Sequence, residues 1–543
     1  MSALNIADTR TRQRVVEAAF GLLAQRGLNG ELLKDAAELA HLPLERAHVF
    51  FQRDEDLVLA LYARLAAELE ARVAELPEGD VATRFRAAME AKLTLVSPHR
   101  EALASLVATL LDPRHKLGAL NQQTEVIRSR VIGVFSAVVL GAADAHKAAR
   151  KTNAPELVRT LYALHLALVL FWTQDRTPNA TATHTAIDFV CDMLSLSGRV
   201  AWLPNLKKRL AQLESIAAQF VEPAPDPELT KLSVAVLKQL FRHRRLQTTA
   251  GKCAADPCEQ CLAIHLPKVR RWIARDEPIH FLLPAFPAKS PNTKKVLGRL
   301  PDMAEEVALE FLENVCAELQ QLYAPGARIS ICSDGRVFSD LVGVADEDVS
   351  NYATELKRII KRAGAKSLDF FSMEDLFDVE DHSAMRQQLL NHYCHSLPAI
   401  EARIHKFEHH RELFNGIQRF LFEDRVAMDS GKSRTQVRND CKDLAYAVIQ
   451  RSDGWGRLLN DCFPMSLRLS IHPQGLHSEK IGMLLGGANA GEAGTMSPDN
   501  WLTPWHGVAV KQHDRFRFMR RHEAEELGAR IVEREGRPSY FQL

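Results

Sequence analysis

Five short apolar runs decide how the second half of the chain is read: HFLLPAF (280–286), RISICSD (328–334), SLDFFSM (367–373), MSLRLSIH (465–472) and GVAVKQ (507–512). Each is too short for a buried helix and stops at a polar or helix-breaking cluster, as strands do. Helical patterns fill the spaces between them, over 302–323, 349–363, 384–422 and 433–459. Strands separated by helices imply an α/β domain with a largely parallel sheet. In such sheets ligands lie outside the carboxyl ends of the strands, so the residues just after each run are where chemistry is expected.

The first run is followed by Pro287-Ala288-Lys289-Ser290-Pro291-Asn292-Thr293-Lys294-Lys295. Two prolines stiffen a loop that carries three ammonium groups, and Asp302 reads as the N-cap of the helix beyond it. Lys289, Lys294 and Lys295, with Ser290 and Asn292, suit a phosphate or carboxylate; a merely solvated lysine turn would read the same way. After the second run come Ser333, Asp334, Gly335 and Arg336. Gly335 permits a left-handed or closely approached backbone. Asp334 and Arg336 either form an ion pair across a turn, or orient an amine and grip an anion respectively. Both readings stay open at this point.

The fourth run ends in His472, locked by Pro473 and followed by Gln474. A histidine at a strand's carboxyl end is well placed for proton transfer, and His506, after Trp505, is a second candidate; either can equally be structural. The glycine-rich GGANAGEAG (486–494) reads as a flap, because it does not fit the dinucleotide-binding glycine pattern. The last run ends near Lys511.

Four of these segments, PAFPAKSPNTKKVLGRLPDMAEEVAL, ICSDGRVFSDLVGVADEDVSNYATEL, FPMSLRLSIHP and TPWHGVAVK, resemble in this order the isocyanide (isonitrile) synthase family of the pyoverdine-cluster and fungal spore-wall type. The resemblance spans residues 229–543, including the closing GRPSYF (536–541), and implies a Rossmann-like domain. It also implies an α-amino acid substrate, tryptophan or tyrosine first, with ribulose 5-phosphate as carbon donor. The amine condenses with the sugar ketone, and that carbon becomes the isocyanide carbon after fragmentation. No metal or redox cofactor is implied, and the product, a secondary metabolite, can pass to an iron/2-oxoglutarate oxygenase. On that footing the expected catalytic residues are Asp334, His472 and His506. The expected substrate-binding residues are Lys289, Ser290, Asn292, Lys294, Lys295, Ser333, Arg336, Gln474, Trp505 and Lys511. Cys253-x4-Cys258-x2-Cys261-x3-His265 offers the ligand types and spacing of a structural zinc site, but similar positions in the family do not imply a metal.

The first half has another texture. It is helical nearly throughout, with Val15, Val16, Ala19, Phe20, Leu22 and Leu23 at helical spacing. A proline-rich acidic segment, VEPAPDP (221–227), closes it as semi-rigid linkers do. TRQRVVEAAFGLLAQRGLNGELLKDAAELAHLPLERAHVFFQRDEDLVLALY (11–62) resembles the TetR-type helix-turn-helix. That gives a reading head over 1–65, a helical ligand and dimerisation domain over 66–205, a linker over 206–228 and the synthase domain over 229–543. The resemblance implies a homodimer formed through the first half. Departures from the pattern bear on DNA. The usual turn glycine is His41, the usual aromatic is His48, and a usual basic residue is Asp54. Residues 1–70 hold eight Lys/Arg against eleven Asp/Glu, a poor head for neutralising phosphates. A dimerisation or regulatory module is therefore expected, with Arg10, Arg12 and Arg14 as a small basic arm. The alternative is a regulator whose enzyme-like half senses a sugar phosphate or an isocyanide.

Bulk properties agree with several domains. The 543 residues exceed one ordinary core. A net charge of +1 gives no chain-wide case for nucleic acid or membrane. No apolar run reaches membrane-spanning length, and residues 161–172, interrupted by His165, read as a buried helix. Nine cysteines without a signal core suggest free thiols in the cytoplasm.

Overall fold

The computed structural model describes residues 7–143 (save 29, 49, 74, 75 and 113), 154–200, 227–246, 253, 256–486 (save 378, 407, 429, 430, 464 and 477) and 502–543. The expected linker, apart from its last two residues, and nearly all of the glycine-rich stretch lie outside them. The chain divides into two compact units, Met1–Asp226 and Pro227–Leu543.

Among its described residues the first unit is built from helices alone. Helices Ala7–Arg26, Leu32–Leu39, Leu44–His48 and Asp54–Val73 close around Val15, Ala19, Leu23, Ala36, Phe51, Leu57 and Leu61. A second core joins Phe85, Met89, Phe135, Leu161 and Trp172. Two departures from the helix-turn-helix pattern acquire physical reasons here. His41 takes a left-handed backbone with φ +55°, the conformation that a glycine adopts without cost. Asp54 accepts the amides of Leu32 and Leu33 at 3.0 and 2.8 Å, so it caps a neighbouring helix rather than facing solvent. The segment Leu157–Gln174 is long and apolar enough to cross a membrane by length and composition, which corrects the expectation that none is. One face of it, with Val158, Leu161, Leu168 and Trp172, is buried in the unit's own core.

In the second unit, strands β1 (Ile279–Pro284), β2 (Ala327–Cys332), β3 (Leu368–Phe371), β4 (Leu467–Ser470) and β5 (Lys480–Gly482) form one parallel sheet in the order β3-β2-β1-β4-β5. The chain steps outward from β1 to β3, then returns to the other side of β1, so the topological switch lies between β1 and β4. Alternation sorts the faces. Phe281, Leu283, Ile329, Ile331, Leu467, Leu469 and Ile481 share a core with Ala308, Leu312 and Val315 of helix Met303–Leu322. That helix begins at Asp302, whose carboxylate and Glu305 form a reciprocal cap. The long pattern at 384–422 is three helices, His382–Tyr393, Leu397–Lys406 and Glu408–Met428, and helix Arg434–Cys462 follows.

The fifth run does not join this sheet. As β6 (Val508–Gln512) it pairs with β7 (Arg515–Met519) and β9 (Arg537–Gln542), and β8 (Arg530–Arg534) completes a separate sheet in the order β7-β6-β9-β8. The turn between β8 and β9 is Glu535-Gly536, both at positive φ, as a tight hairpin requires.

Candidate active site

The second face of the parallel sheet is polar. Register places Leu282 of β1 beside Ser330 and Arg468, and Arg468 beside Lys480. His280 lies on the same face and bridges Ser330 Oγ at 2.8 Å and Ser466 Oγ at 2.7 Å. Burial, then Arg328, holds its imidazole well below the usual range, so it is a neutral hub. An interior sheet face of this kind is unfavourable unless something polar occupies or completes it.

The loop after β1 opens with Phe286 at φ +56°, an uncommon conformation for an aromatic residue. It then delivers Lys289 into a closed cage. The Nζ meets Asp302 Oδ2 and Glu305 Oε2, each at 2.8 Å, and donates to Pro504 O at 3.1 Å. An ammonium has three donors, and all three are engaged. Burial opposes its charge, but the two carboxylates prevail and its pKa is raised. Burial pushes Glu305 up to about 7, and Tyr352 donates to its other oxygen at 3.0 Å. All three Lys289 donors are thus directed to partners within the protein. Ser290 and Asn292 are also internal, bonding Asp424 Oδ2 at 3.2 Å and Glu423 O at 3.5 Å. Lys295 pairs with Asp424 at 2.7 Å. Lys294 is exposed.

Arg336 is engaged in the same way. Its Nε donates to Glu374 at 2.7 Å, Nη1 to Asp346 O at 2.7 Å, and Nη2 to Ser350 Oγ at 2.7 Å. Its side chain is only 1% exposed, so it pins the helix Gly335–Val342 rather than gripping a ligand. Ser333 ties β2 to its neighbours, donating from Oγ to Phe286 O at 3.0 Å and from N to Phe371 O at 2.8 Å. Gly335 is required by close approach, not by handedness: a side-chain carbon there would stand 2.0 Å from Pro287 O.

Asp334 differs from all of these. Its Oδ1 is buried without a hydrogen-bond partner, and burial lifts its pKa to about 7 against the nearby charge of Arg468. Arg468 answers it from β4 with Nε and Nη1 buried and unpartnered. Burial lowers that guanidinium's pKa, while Cys332 and Asp334 favour its charge. A side-chain carbon at Gly456 would lie 3.8 Å from Nη2, so helix Arg434–Cys462 passes directly over the arginine. Lys480 projects beside it with solvent access, its pKa lowered by burial and then by Arg468. Arg403 adds a guanidinium within electrostatic reach of Lys480, paired to Asp453 and with Nε unpartnered. Arg468, Lys480 and Arg403 thus lie together, with Asp453, Glu479 and Asp334 as the carboxyl groups within their reach. No local sequence signal assigns a role to Arg468, Lys480 or His280. In MSLRLSIH, Arg468 looks like the solvent-facing member of an alternating strand, and only the covering helix makes it interior.

His472 follows β4 at the switch point, with its amide donating to Ser470 Oγ at 3.1 Å. Burial, then Arg245 and Lys480, lowers its pKa to about 4. His506 bonds Thr503 Oγ1 through Nδ1 at 3.0 Å and packs its ring 4.5 Å from Phe420. Burial, then Lys295, His472 and Lys289, takes it well below the usual range. Both are neutral imidazoles at neutral pH, close enough to feel each other's charge. Gln474 spends its amide nitrogen on Ser470 Oγ and the carbonyls of His472 and Pro473; it shapes the turn. Trp505 is 1% exposed, packs 5.1 Å from Phe286 and accepts the Ser290 amide; it braces the loop. Lys511 lies five residues of β6 beyond His506, roughly 16 Å of extended chain, with Nζ over the Phe516 ring at 5.9 Å. Electrostatic reach thus links Asp334 to Arg468, Arg468 to Lys480, Lys480 to His472, and His472 to His506. The side chains of Lys289, Ser290, Asn292, Ser333, Arg336 and Gln474 bond to partners within the protein, Trp505 is buried, and Lys294 is exposed.

Residues 269–532 match the pyoverdine/dityrosine biosynthesis protein family. The chain is 46% identical over 310 residues to the L-tryptophan isonitrile synthase AmbI2 of Fischerella ambigua, covering 57% of this chain and 91% of that protein. It is 43% identical over 318 residues to an L-tyrosine isonitrile synthase of Pseudomonas aeruginosa, covering 58% and 94%. The crystal structure of the PvcA protein from Pseudomonas aeruginosa is similar at a TM-score of 0.53 and 42% identity, over 57% of this chain and 99% of that one.

Proposed function

The chain belongs to the pyoverdine/dityrosine biosynthesis protein family, whose relatives include isonitrile synthases, and on that premise we propose that it converts the amine of tryptophan or tyrosine to an isocyanide with ribulose 5-phosphate as carbon donor. One observation carries the reading: Asp334, with Oδ1 buried and unpartnered and its pKa raised to about 7, lies at the carboxyl edge of a parallel sheet within electrostatic reach of Arg468, whose Nε and Nη1 are also unpartnered. The relatives name the amino acids; ribulose 5-phosphate is the donor that the family resemblance implies, and the cations at the site suit its phosphate.

A phosphate needs cations with donors to spare. Arg468 has them, Lys480 stands beside it, and Lys289 and Arg336 have none. Condensing an amine with a ketone and fragmenting the adduct needs a group that takes and returns protons near neutral pH. Asp334 is that group, because its pKa lies at the working pH where such transfer is most efficient. His472 and His506, held neutral, supply hydrogen bonds to hydroxyls of the sugar rather than charge. The test is incubation of the purified chain with L-tryptophan, L-tyrosine and ribulose 5-phosphate labelled with carbon-13 at the ketone. The expected result is an isocyanide carrying the label. An unlabelled isocyanide would remove ribulose 5-phosphate as donor, and no isocyanide with either amino acid would remove the substrate assignment.

For the helical unit we propose a dimerisation or regulatory module that binds DNA weakly and without useful specificity. The net acidity of residues 1–70 and the capping role of Asp54 support this. A titration against the upstream DNA and a scrambled duplex at physiological salt tests it. Nanomolar binding with at least roughly a thousandfold preference, the range of a specific regulator, would overturn it.

A further inference from the structure

We propose that Cys253, Cys258 and Cys261 bind one zinc ion, which fastens the strap that supports the His472 turn. The other six cysteines sit apart as free thiols. These three converge: their sulfurs all lie within 4.8 Å of one another, and Cys253 Sγ is 3.2 Å from Cys261 Sγ. Zinc–thiolate bonds of about 2.3 Å in a tetrahedron set sulfurs about 3.8 Å apart, so the three already stand near a common coordination sphere. The Cys258 amide donates to Cys253 Sγ at 3.4 Å, which holds Cys253 against the turn that bears the other two sulfurs. Cys258 precedes the helical turn Glu259–Ala263, on which Cys261 lies, and this i, i+3 spacing turns both sulfurs to one side. A disulfide would use two of the sulfurs and leave the third without purpose in the cluster.

His265, the fourth member of the sequence pattern, is not a ligand. Its ring stacks edge-on against Phe241 at 5.8 Å and stands outside the sulfur cluster. The ion therefore takes three protein sulfurs and a water or other small donor.

The position gives the site its purpose. Residues 243–246 run as a strap between β5 and the turn after β4. Arg245 donates from N to Gly482 O at 2.7 Å and from Nη1 to Ile471 O at 2.7 Å, and its own carbonyl accepts the Gln474 amide at 3.0 Å. Arg244 pairs with Met483 and Leu246 with Gln474, and the Arg244 guanidinium donates to the carbonyl of Cys253. The strap thus holds Gly482 and Met483 on one side and the turn bearing His472 on the other, and the Arg244 side chain ties it to the cysteine cluster. The metal assignment itself is independent of the proposed reaction; only its effect on the His472 turn rests on that reading.

The test uses the full chain, expressed with zinc in the medium and purified under reductant without chelator. Elemental analysis should find about one zinc per chain, the stoichiometry of a single structural site. Cys258→Ser/Cys261→Ser should lose it, and His265→Asn should keep it. Cobalt(II) added to chelator-stripped wild-type chain should give intense sulfur-to-cobalt charge-transfer absorption and tetrahedral visible bands. This reading stands even if the double variant does not fold. Three results would each overturn the proposal: a wild-type chain without stoichiometric zinc and without the cobalt spectrum, zinc retained by the double variant, or a Cys253–Cys261 disulfide found by mass under reductant-free handling of freshly lysed cells.

Discussion

Asp54 and Asp334 each open a helix just after an apolar stretch, one in each unit, and the chain uses them in opposite ways. Both oxygens of Asp54 are taken by amides of a neighbouring helix. Asp334 keeps a buried oxygen with no partner and a pKa near 7. The same contrast repeats within the second unit, where Lys289 and Arg336 are saturated and Arg468 is not. Residue type alone therefore does not mark a site. Unspent hydrogen-bonding capacity in an enclosed place does, because a fold tolerates an orphaned buried charge only where something else will meet it. The helical unit has an orphan of its own in His165, with both ring nitrogens unpaired and its pKa lowered to about 3 by burial. It lies between Phe135 and Tyr162 with no carboxylate among the groups that shift it, so it is kept neutral rather than poised.

The contrast breaks most visibly at Asp334. Asp334→Asn should lower turnover by about 10²–10⁴-fold, the span of a lost acid–base group, in a chain that remains folded. Its stability carries a pH signature. A carboxyl whose folded pKa is raised binds protons that the unfolded chain has released, so its stabilising contribution is present below pH 4 and is lost as pH rises through about 7. Melting temperatures of wild type and Asp334→Asn should therefore diverge in the variant's favour between pH 5 and 8. A purely structural aspartate would show stability loss in the variant and little change in turnover.

Lys289 and Arg468 sharpen the distinction between a support and a ligand. Lys289→Met leaves Asp302 and Glu305 buried without their cation and should cost about 3–5 kcal/mol of stability, read by denaturant melting. Arg468→Ala should instead raise the Michaelis constant for the sugar phosphate roughly tenfold to a hundredfold, the loss of a charge-assisted contact of about 1.5–3 kcal/mol. Interchanged outcomes would return the anion to the loop after β1. The smallest effects belong to the helical unit. Asp54→Ala should cost about 1 kcal/mol as a lost cap, and His41→Gly should gain up to about 1 kcal/mol by relieving a left-handed residue. Neither should change isocyanide formation.

Much of this layout could be read from the residues. The first four apolar runs are strands of one sheet because β-branched and aromatic residues recur between helical stretches, and Asp302 caps the helix as its position suggests. What could not be read follows from tertiary context. β5 is three residues long and begins with Lys480, so it carries no apolar run. The second sheet is rich in arginine and glutamate on its open side, which hides its alternation. Lys289 and Arg336 follow the ends of β1 and β2, while Arg468 lies within β4. Which of them is saturated depends on Asp302, Glu305, Glu374 and Asp346 folding back, and on Arg434–Cys462 covering β4, and no local pattern contains that information.

The central claim, that isocyanide chemistry resides wholly in the second unit, is tested most directly by comparing the full chain with residues 227–543 alone, both given ribulose 5-phosphate and L-tryptophan or L-tyrosine under identical conditions. The account predicts isocyanide formation by both, with turnover by the shorter chain within about threefold of the full chain, less than the tenfold that 1.4 kcal/mol on the barrier represents. A folded 227–543 chain that makes none while the full chain does would contradict it, and would place part of the catalytic site in the helical unit.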